Sequence, residues 1–146
     1  MEIKQYINTE MIRSGLANTP QITFEVTDAC NLSCVYCGYG KLYYDHDNRS
    51  DKHLKLEKAR IFLEYLSKLW NSPLNKSVNS VINISFYGGE PLLNFHFVKE
   101  VIEYTKSIKG NTRKFAYSMT TNALLLNKHI DFIVSNDFRL LMRIKG

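Results

Sequence analysis

Hydrophobic residues recur along this chain with two different periods, and the two periods alternate. Every second residue is apolar between Gln21 and Thr27, whereas from Leu56 onward apolar residues recur at the spacing of a helix face. A period of two is typical of a half-buried strand, and a period near 3.6 is typical of an amphipathic helix. The exchange then repeats, which predicts strands at about 82–87, 115–120 and 139–144 and helices after Asn94 and at about 128–134. Repeated βα units of this kind predict an α/β fold with a parallel sheet.

Each of the first three predicted strands has one apolar and one polar face. Parallel strands of a flat, doubly wound sheet are covered on both faces and read as continuous apolar runs. A polar face therefore predicts a curved sheet with helices outside and a wet or occupied lumen inside. The side chains expected to line this lumen are Thr23, Glu25, Thr27, Asn83, Ser85, Tyr87, Ser118 and Thr120.

All three cysteines of the chain, Cys30, Cys34 and Cys37, follow the first predicted strand in the spacing C-x3-C-x2-C. Three thiolates can ligate three irons of a 4Fe–4S cluster and leave the fourth iron open for chemistry. A structural zinc site is the alternative, with His46 or His53 as the fourth ligand. A disulfide would leave one cysteine over, and the chain does not begin with a secretory signal. The cysteines alone favour the cluster only slightly over zinc.

The composition narrows the remaining classes of function. Lysine and arginine exceed aspartate and glutamate by 19 − 14 = 5, and the excess is scattered along the chain. Without a basic run interleaved with aromatic residues, the sequence does not predict a nucleic-acid surface. No apolar run approaches the length of a membrane span. A reducing cytoplasm is therefore the expected location, and it suits an iron–sulfur cluster.

Unusual residues follow each of the first three predicted strands. The cysteines follow the first, the sequence Gly88-Gly89-Glu90-Pro91 follows the second, and Thr120-Thr121-Asn122 ends the third. Ligands of parallel α/β folds bind at the carboxyl ends of the strands. Because all three groups are expected at that end, their coincidence favours the cluster much more strongly than the cysteines alone.

These segments resemble a known family, the radical S-adenosylmethionine (SAM) enzymes. The cysteine spacing with Tyr36 before the last cysteine resembles the family's cluster loop, and Gly88–Pro91 is similar to its glycine-rich SAM-binding motif. Thr120-Thr121-Asn122-Ala123 is similar to its third-strand motif. The wording FEVTDACNLSCVYCGYG and ISFYGGEPLLN most resembles the SPASM-type branch, the maturases of ribosomally made peptides.

The resemblance implies a fold, two cofactors and a reaction. The fold is a (β/α)6 TIM-like barrel, of which this chain would form the N-terminal part, with about three βα units and a fourth strand. Cys30, Cys34 and Cys37 would hold a 4Fe–4S cluster whose open iron is chelated by the amino and carboxylate groups of SAM. Reductive cleavage of SAM would give a 5′-deoxyadenosyl radical, which takes a hydrogen from a precursor peptide. A flavodoxin or ferredoxin would donate the electron.

The resemblance also implies contacts with SAM, although it assigns no catalytic side chain. The backbone of the motif formed by Gly88, Gly89, Glu90 and Pro91 would contact the methionine amino group. The absence of side chains on its two glycines would let that backbone approach SAM closely. Tyr36 would contact the adenine. Asn122 would make a polar contact with SAM.

The chain departs from the family pattern at its end. Residues 1–20 read as a lead-in and residues 21–146 as an incomplete core that stops in the fourth strand. Arg143-Ile144-Lys145-Gly146 stands where the pattern has Ser-Leu-Asp-Gly. A truncated gene, a frame change or a fragment would each explain this. Two other interpretations therefore stay open: a non-catalytic iron–sulfur or scaffold fragment that needs a partner chain, and a zinc-binding structural domain.

Overall fold

The computed structural model describes residues 6–38, 49–77 and 81–143. Strands and helices alternate along most of the chain, as the hydrophobic periods predict. The elements are α1 (Thr9–Ala17), β1 (Gln21–Thr27), α2 (Leu56–Trp70), β2 (Val81–Gly88), α3 (Phe95–Ser107), β3 (Lys114–Thr121), α4 (Ile130–Ser135) and β4 (Arg139–Met142). Short 3-10 turns, Pro91–Asn94 and Leu126–Lys128, precede α3 and α4.

The four strands form one parallel sheet in the order β1-β2-β3-β4. Each strand pairs with the next one in the chain. Because the strands are parallel, each connection runs back to the end of the sheet at which the strands begin. This architecture confirms the α/β prediction and has the form of a partial TIM-like barrel. Ile144, which the sequence pattern included in the fourth strand, lies outside the described residues.

The two faces of the sheet differ as the alternation predicts. Ile22, Phe24, Ile84 and Phe86 are buried under the helices, whereas Thr23 is exposed on the opposite face. Phe24 and Phe86 stack with ring centroids 6.4 Å apart, which joins neighbouring strands within the core. The prediction of one apolar and one polar face is therefore confirmed over most of the sheet.

Thr27 departs from that alternation. The pairing register of β1 shifts between Glu25 and Thr27, so that Val26 and Thr27 are both buried. The hydroxyl of Thr27, 2% exposed, donates to the carbonyl of Lys52 at 2.7 Å. The expectation that Thr27 lines the lumen is therefore wrong, because a bulge turns the end of β1 just before the cysteines.

The helices cover one face of the sheet. The buried side of α2, with Leu63, Leu66 and Trp70, packs on the core, and α2 also contacts α1 and α3. The helix α1 lies within residues 1–20, for which the sequence predicts only a lead-in. Among the described residues, no helix is both long enough and apolar enough to span a bilayer.

A buried arginine fixes the opposite end of the sheet. Arg113 is 3% exposed and donates to the carbonyls of Ala17, Thr19 and Val81 at 3.4, 2.9 and 3.2 Å. Desolvation lowers the pKa of its guanidinium. These bonds tie α1 and the start of β2 to β3, away from the ends that carry the motifs.

Candidate active site

A recess lies at the carboxyl ends of the strands, where the sequence places its three unusual segments. The space inside it, counted together with the solvent at its open mouth, is about 550 Å³. The cysteine loop, the end of β2 and the end of β3 all contribute to it. It is lined by Cys30, Leu32, Cys34, Tyr36, Cys37, Arg49, Tyr87, Gly88, Gly89, Thr120, Thr121, Asn122 and Arg143.

The three cysteines share this recess as free, half-buried thiols. A tight turn closes the second half of their loop, in which the Cys37 amide donates to the Cys34 carbonyl at 3.2 Å. Within the described ranges, no three cysteine, histidine or acidic side chains converge to form a metal-binding group. The thiols therefore face a common space without being drawn together around a single point.

Two side-chain N–H groups lie near cysteine sulfurs. Arg49 Nη2 is 3.4 Å from Cys37 Sγ, and Asn122 Nδ2 is 4.0 Å from Cys30 Sγ. N–H donors beside the sulfur of a metal-ligating cysteine are among the contacts by which a protein orients and tunes a metal site. Soft thiolates select zinc, copper(I) or iron–sulfur clusters. The donor set of the recess therefore fits an iron–sulfur cluster ligated by Cys30, Cys34 and Cys37.

The zinc interpretation requires a fourth ligand. His46 lies outside the described residues. His53 forms an isolated antiparallel bridge with Thr27, and it is not among the residues that line the recess. Of the described residues that line the recess, none is a histidine, aspartate or glutamate, so this lining offers zinc three thiols and no customary fourth ligand.

The two glycines at the end of β2 are required by the backbone of the preceding strand. A Cβ on Gly88 would lie 2.3 Å from the Thr27 carbonyl oxygen, and one on Gly89 would lie 2.1 Å from that of Ala29. The Gly89 amide donates to the Thr27 carbonyl at 2.7 Å, and the Glu90 amide donates to that of Ala29 at 2.8 Å. The predicted close approach of SAM to these glycines stays a prediction. The structure shows a separate requirement for them, which is close packing against the start of the cysteine loop.

The predicted contacts of Glu90 and Pro91 with SAM stay predictions, and the structure shows where the two side chains lie. Both are buried and neither lines the recess. Glu90 Oε1 accepts from the Thr121 hydroxyl at 2.7 Å and the Leu92 amide at 3.0 Å, and Oε2 accepts from the Asn122 amide at 2.8 Å. The carboxylate thus joins the end of β2 to the end of β3 and positions the segments that do line the recess.

Asn122 and Tyr36 both line the recess, and their predicted contacts with SAM stay predictions. The Asn122 amide group donates to Asn31 Oδ1 at 2.8 Å, which connects β3 to the cysteine loop. Tyr36 is 55% exposed. Its hydrogen bond with Cys34, followed by the charge of that thiol, raises the pKa of the Tyr36 phenol.

Arg49 is a site residue that the sequence analysis missed. It lies outside every motif, and no pattern in the sequence connects it to the cysteines. Arg143, which stands where the family pattern has serine, also lines the recess, with its guanidinium 6.0 Å from the centroid of the Tyr87 ring. Together they give the described lining two fixed positive charges and no carboxylate.

Comparisons with known proteins agree with this geometry. The model of the radical SAM superfamily matches residues 24–145. A radical SAM cyclopropyl synthase, TigE, of Paramaledivibacter caminithermalis is 28% identical over 88% of this chain and 28% of its own length. A GTP 3′,8-cyclase of Clostridium acetobutylicum is 32% identical over 80% of this chain and 31% of its own length. A cysteine-type anaerobic sulfatase-maturating enzyme of Clostridium novyi is 28% identical over 80% of this chain and 30% of its own length.

The chain thus spans less than a third of each of these three relatives. The cyclopropyl synthase and the sulfatase-maturating enzyme agree with the resemblance to the SPASM-type branch. The family model covers both the cysteine loop and the ends of β2 and β3, which are the segments that build the recess. This chain belongs to the radical SAM superfamily.

Proposed function

We propose that this chain is the cluster- and SAM-binding part of a radical SAM enzyme that modifies a ribosomally made peptide. The observation that carries the proposal is the meeting of three strand ends at one recess, which is lined by Cys30, Cys34 and Cys37 and by the end segments of β2 and β3. When bound, the cluster and SAM would supply a 5′-deoxyadenosyl radical by reductive cleavage of SAM. The protein would supply ligands, orientation and charge.

The residues of the chain have separate tasks in this proposal. The three thiols hold iron and leave one coordination site for SAM. Gly88 and Gly89 expose backbone at the rim, and two arginines balance negative charge in the recess. Because metal sites are rarely preformed without metal, binding of the cluster would draw the cysteine loop together.

The peptide substrate is supported by the motif wording and by a relative named as a sulfatase-maturating enzyme, since a sulfatase is itself a protein. Another relative is named as a GTP cyclase, so GTP is the substrate to test against a peptide. A reducing cytoplasm and a flavodoxin or ferredoxin as electron donor complete the proposal.

The test is release of 5′-deoxyadenosine after anaerobic reconstitution with iron and sulfide, in the presence of SAM and a strong reductant. We expect product from the parent chain and none from Cys34→Ala. Zinc without iron or sulfide after anaerobic purification would overturn the cluster and favour the zinc-binding domain.

A bound cluster without product would favour the non-catalytic iron–sulfur fragment that needs a partner chain. An observation that favours such a partner is the sheet edge at β4, where Leu141 and Met142 are 59% and 50% exposed. Edge strands with exposed apolar residues pair readily with other chains. A mass in solution that rises with concentration would support association of this kind.

A further inference from the structure

We propose that Arg49 is a positioning residue for the cysteine loop and raises the reduction potential of the cluster that this loop would hold. This inference rests on the proposed function, because it needs a cluster ligated by Cys37. Arg49 Nη2 donates to Cys37 Sγ at 3.4 Å, and Nη1 donates to the Leu32 carbonyl at 3.3 Å. One guanidinium therefore joins the first half of the cysteine loop to its last ligand.

The backbone that carries Arg49 is fixed to the end of β1. Asp28 Oδ2 accepts from the backbone amide and the hydroxyl of Ser50, both at 2.9 Å, and Oδ1 accepts from the Lys52 amide at 2.7 Å. Further along, the Leu54 amide donates to the Val26 carbonyl at 2.9 Å. Residues 50–54 thus run along the strand that leads into the cysteines, and Arg49 enters the recess from an anchored segment.

The chemistry of this contact fixes the direction of its effect. Guanidinium stays protonated at every pH at which proteins are studied, and its planar fork can hold two acceptors at once. Reduction of a cluster by one electron adds one negative charge to the unit formed by iron, sulfide and thiolate. An N–H group and a positive charge beside a ligating sulfur stabilise that added charge, and hydrogen bonds to sulfur are an established determinant of cluster potential.

Lys52 provides a matched control. It belongs to the same anchored segment and carries the same charge, but it is exposed and its side chain is not part of the described recess lining. Solvent and salt screen such a charge. Lys52→Gln therefore removes one positive charge without removing a contact to sulfur.

The experiment is a redox titration of the reconstituted chain, followed by electron paramagnetic resonance of the reduced cluster. The parent, Arg49→Gln, Arg49→Lys and Lys52→Gln are compared at equal iron and sulfide content. We expect Arg49→Gln to reduce the ratio of reduced to oxidised cluster at a fixed potential by about tenfold, a shift of about 59 mV to more negative potential for a one-electron couple. Arg49→Lys should shift the potential less, and Lys52→Gln should not shift it.

The outcomes separate this inference from the proposed function. A parent chain that takes up no cluster would overturn both. Equal potentials in the parent, Arg49→Gln and Arg49→Lys, with cluster present in each, would overturn the role of Arg49 and leave the proposed function standing. If the thermal melt shows that Arg49→Gln does not fold, the reduction potential of Arg49→Lys tests the inference instead. A role for the two-pronged guanidinium requires the potential of Arg49→Lys to differ from that of the parent.

Discussion

Substitution of Glu90 measures how much the buried hydrogen bonds behind the recess contribute to the free energy of unfolding. The side chain is fully buried, and its two oxygens accept three hydrogen bonds, from Thr121, Leu92 and Asn122. Two of these donors belong to buried residues and the third to a half-buried one. Replacement by alanine leaves all three without this acceptor, and only the third is placed to find water.

The expected loss follows from those contacts. An unsatisfied buried donor destabilises by about 1–3 kcal/mol, so Glu90→Ala should lower the free energy of unfolding by about 4 kcal/mol. Glu90→Gln keeps one acceptor oxygen but places an NH2 group against one of the three donors. This variant should therefore lower the free energy of unfolding by about 2 kcal/mol. Glu64→Gln is the control, since its side chain is 51% exposed and such pairs contribute about 0–1 kcal/mol.

The assay is urea unfolding followed by the fluorescence of Trp70, the single tryptophan and a buried residue. If the free energy of unfolding decreases by about 2 kcal/mol per M urea, the urea concentration at the unfolding midpoint of Glu90→Ala should fall by about 2 M. If its midpoint falls no further than that of Glu64→Gln, the buried carboxylate does not join β2 to β3 as described.

Three further predictions follow from other contacts. Gly89→Ala places a Cβ 2.1 Å from a backbone oxygen and should lower the free energy of unfolding by about 3 kcal/mol, whereas Gly15→Ala, in an open helix position, should raise it by about 0.5–1 kcal/mol in the same urea assay. Burial and then the charges of Lys99 and Lys128 lower the pKa of His129, so the unfolded state binds more protons than the folded state. Thermal melts should therefore show the stability of the fold decreasing as the pH drops below about 6.5. Lys99→Gln should weaken this dependence of stability on pH. A slope unchanged in His129→Gln would refute that cause. Reconstitution with iron and sulfide should raise the melting temperature of the parent but not that of Cys34→Ala.

Periodicity predicted the sheet because burial alternates with residue position along a strand, and this information is local. Ile22 and Phe24 are buried and Thr23 is exposed, as their order requires. The meeting of the motifs was also predictable, because parallel strands place their carboxyl ends at one edge. The helix α1 was missed although Asn8 caps it by accepting from the Met11 amide. Only one residue of α1 is buried, which leaves its apolar pattern weak.

Other features required contacts between distant segments. The bulge at Thr27 and the packing of Gly89 on Ala29 depend on how closely the ends of β1 and β2 approach each other. The sequence of either strand alone does not determine that separation. In the sequence, Glu90 is only a polar residue beside two glycines. The three hydrogen bonds that it accepts show that it is buried and connects the end of β2 to the end of β3. Arg49 could not be predicted, since it reaches Cys37 through the anchoring of its segment by Asp28.

The most direct test of the central claim is electron paramagnetic resonance of the reduced, reconstituted chain with and without SAM. A cluster held by three cysteines has an open iron that SAM can ligate, so we predict that SAM changes the spectrum of the parent. Cys34→Ala should lack the spectrum altogether. An intact cluster whose spectrum is unchanged by SAM would contradict the claim that this recess binds both.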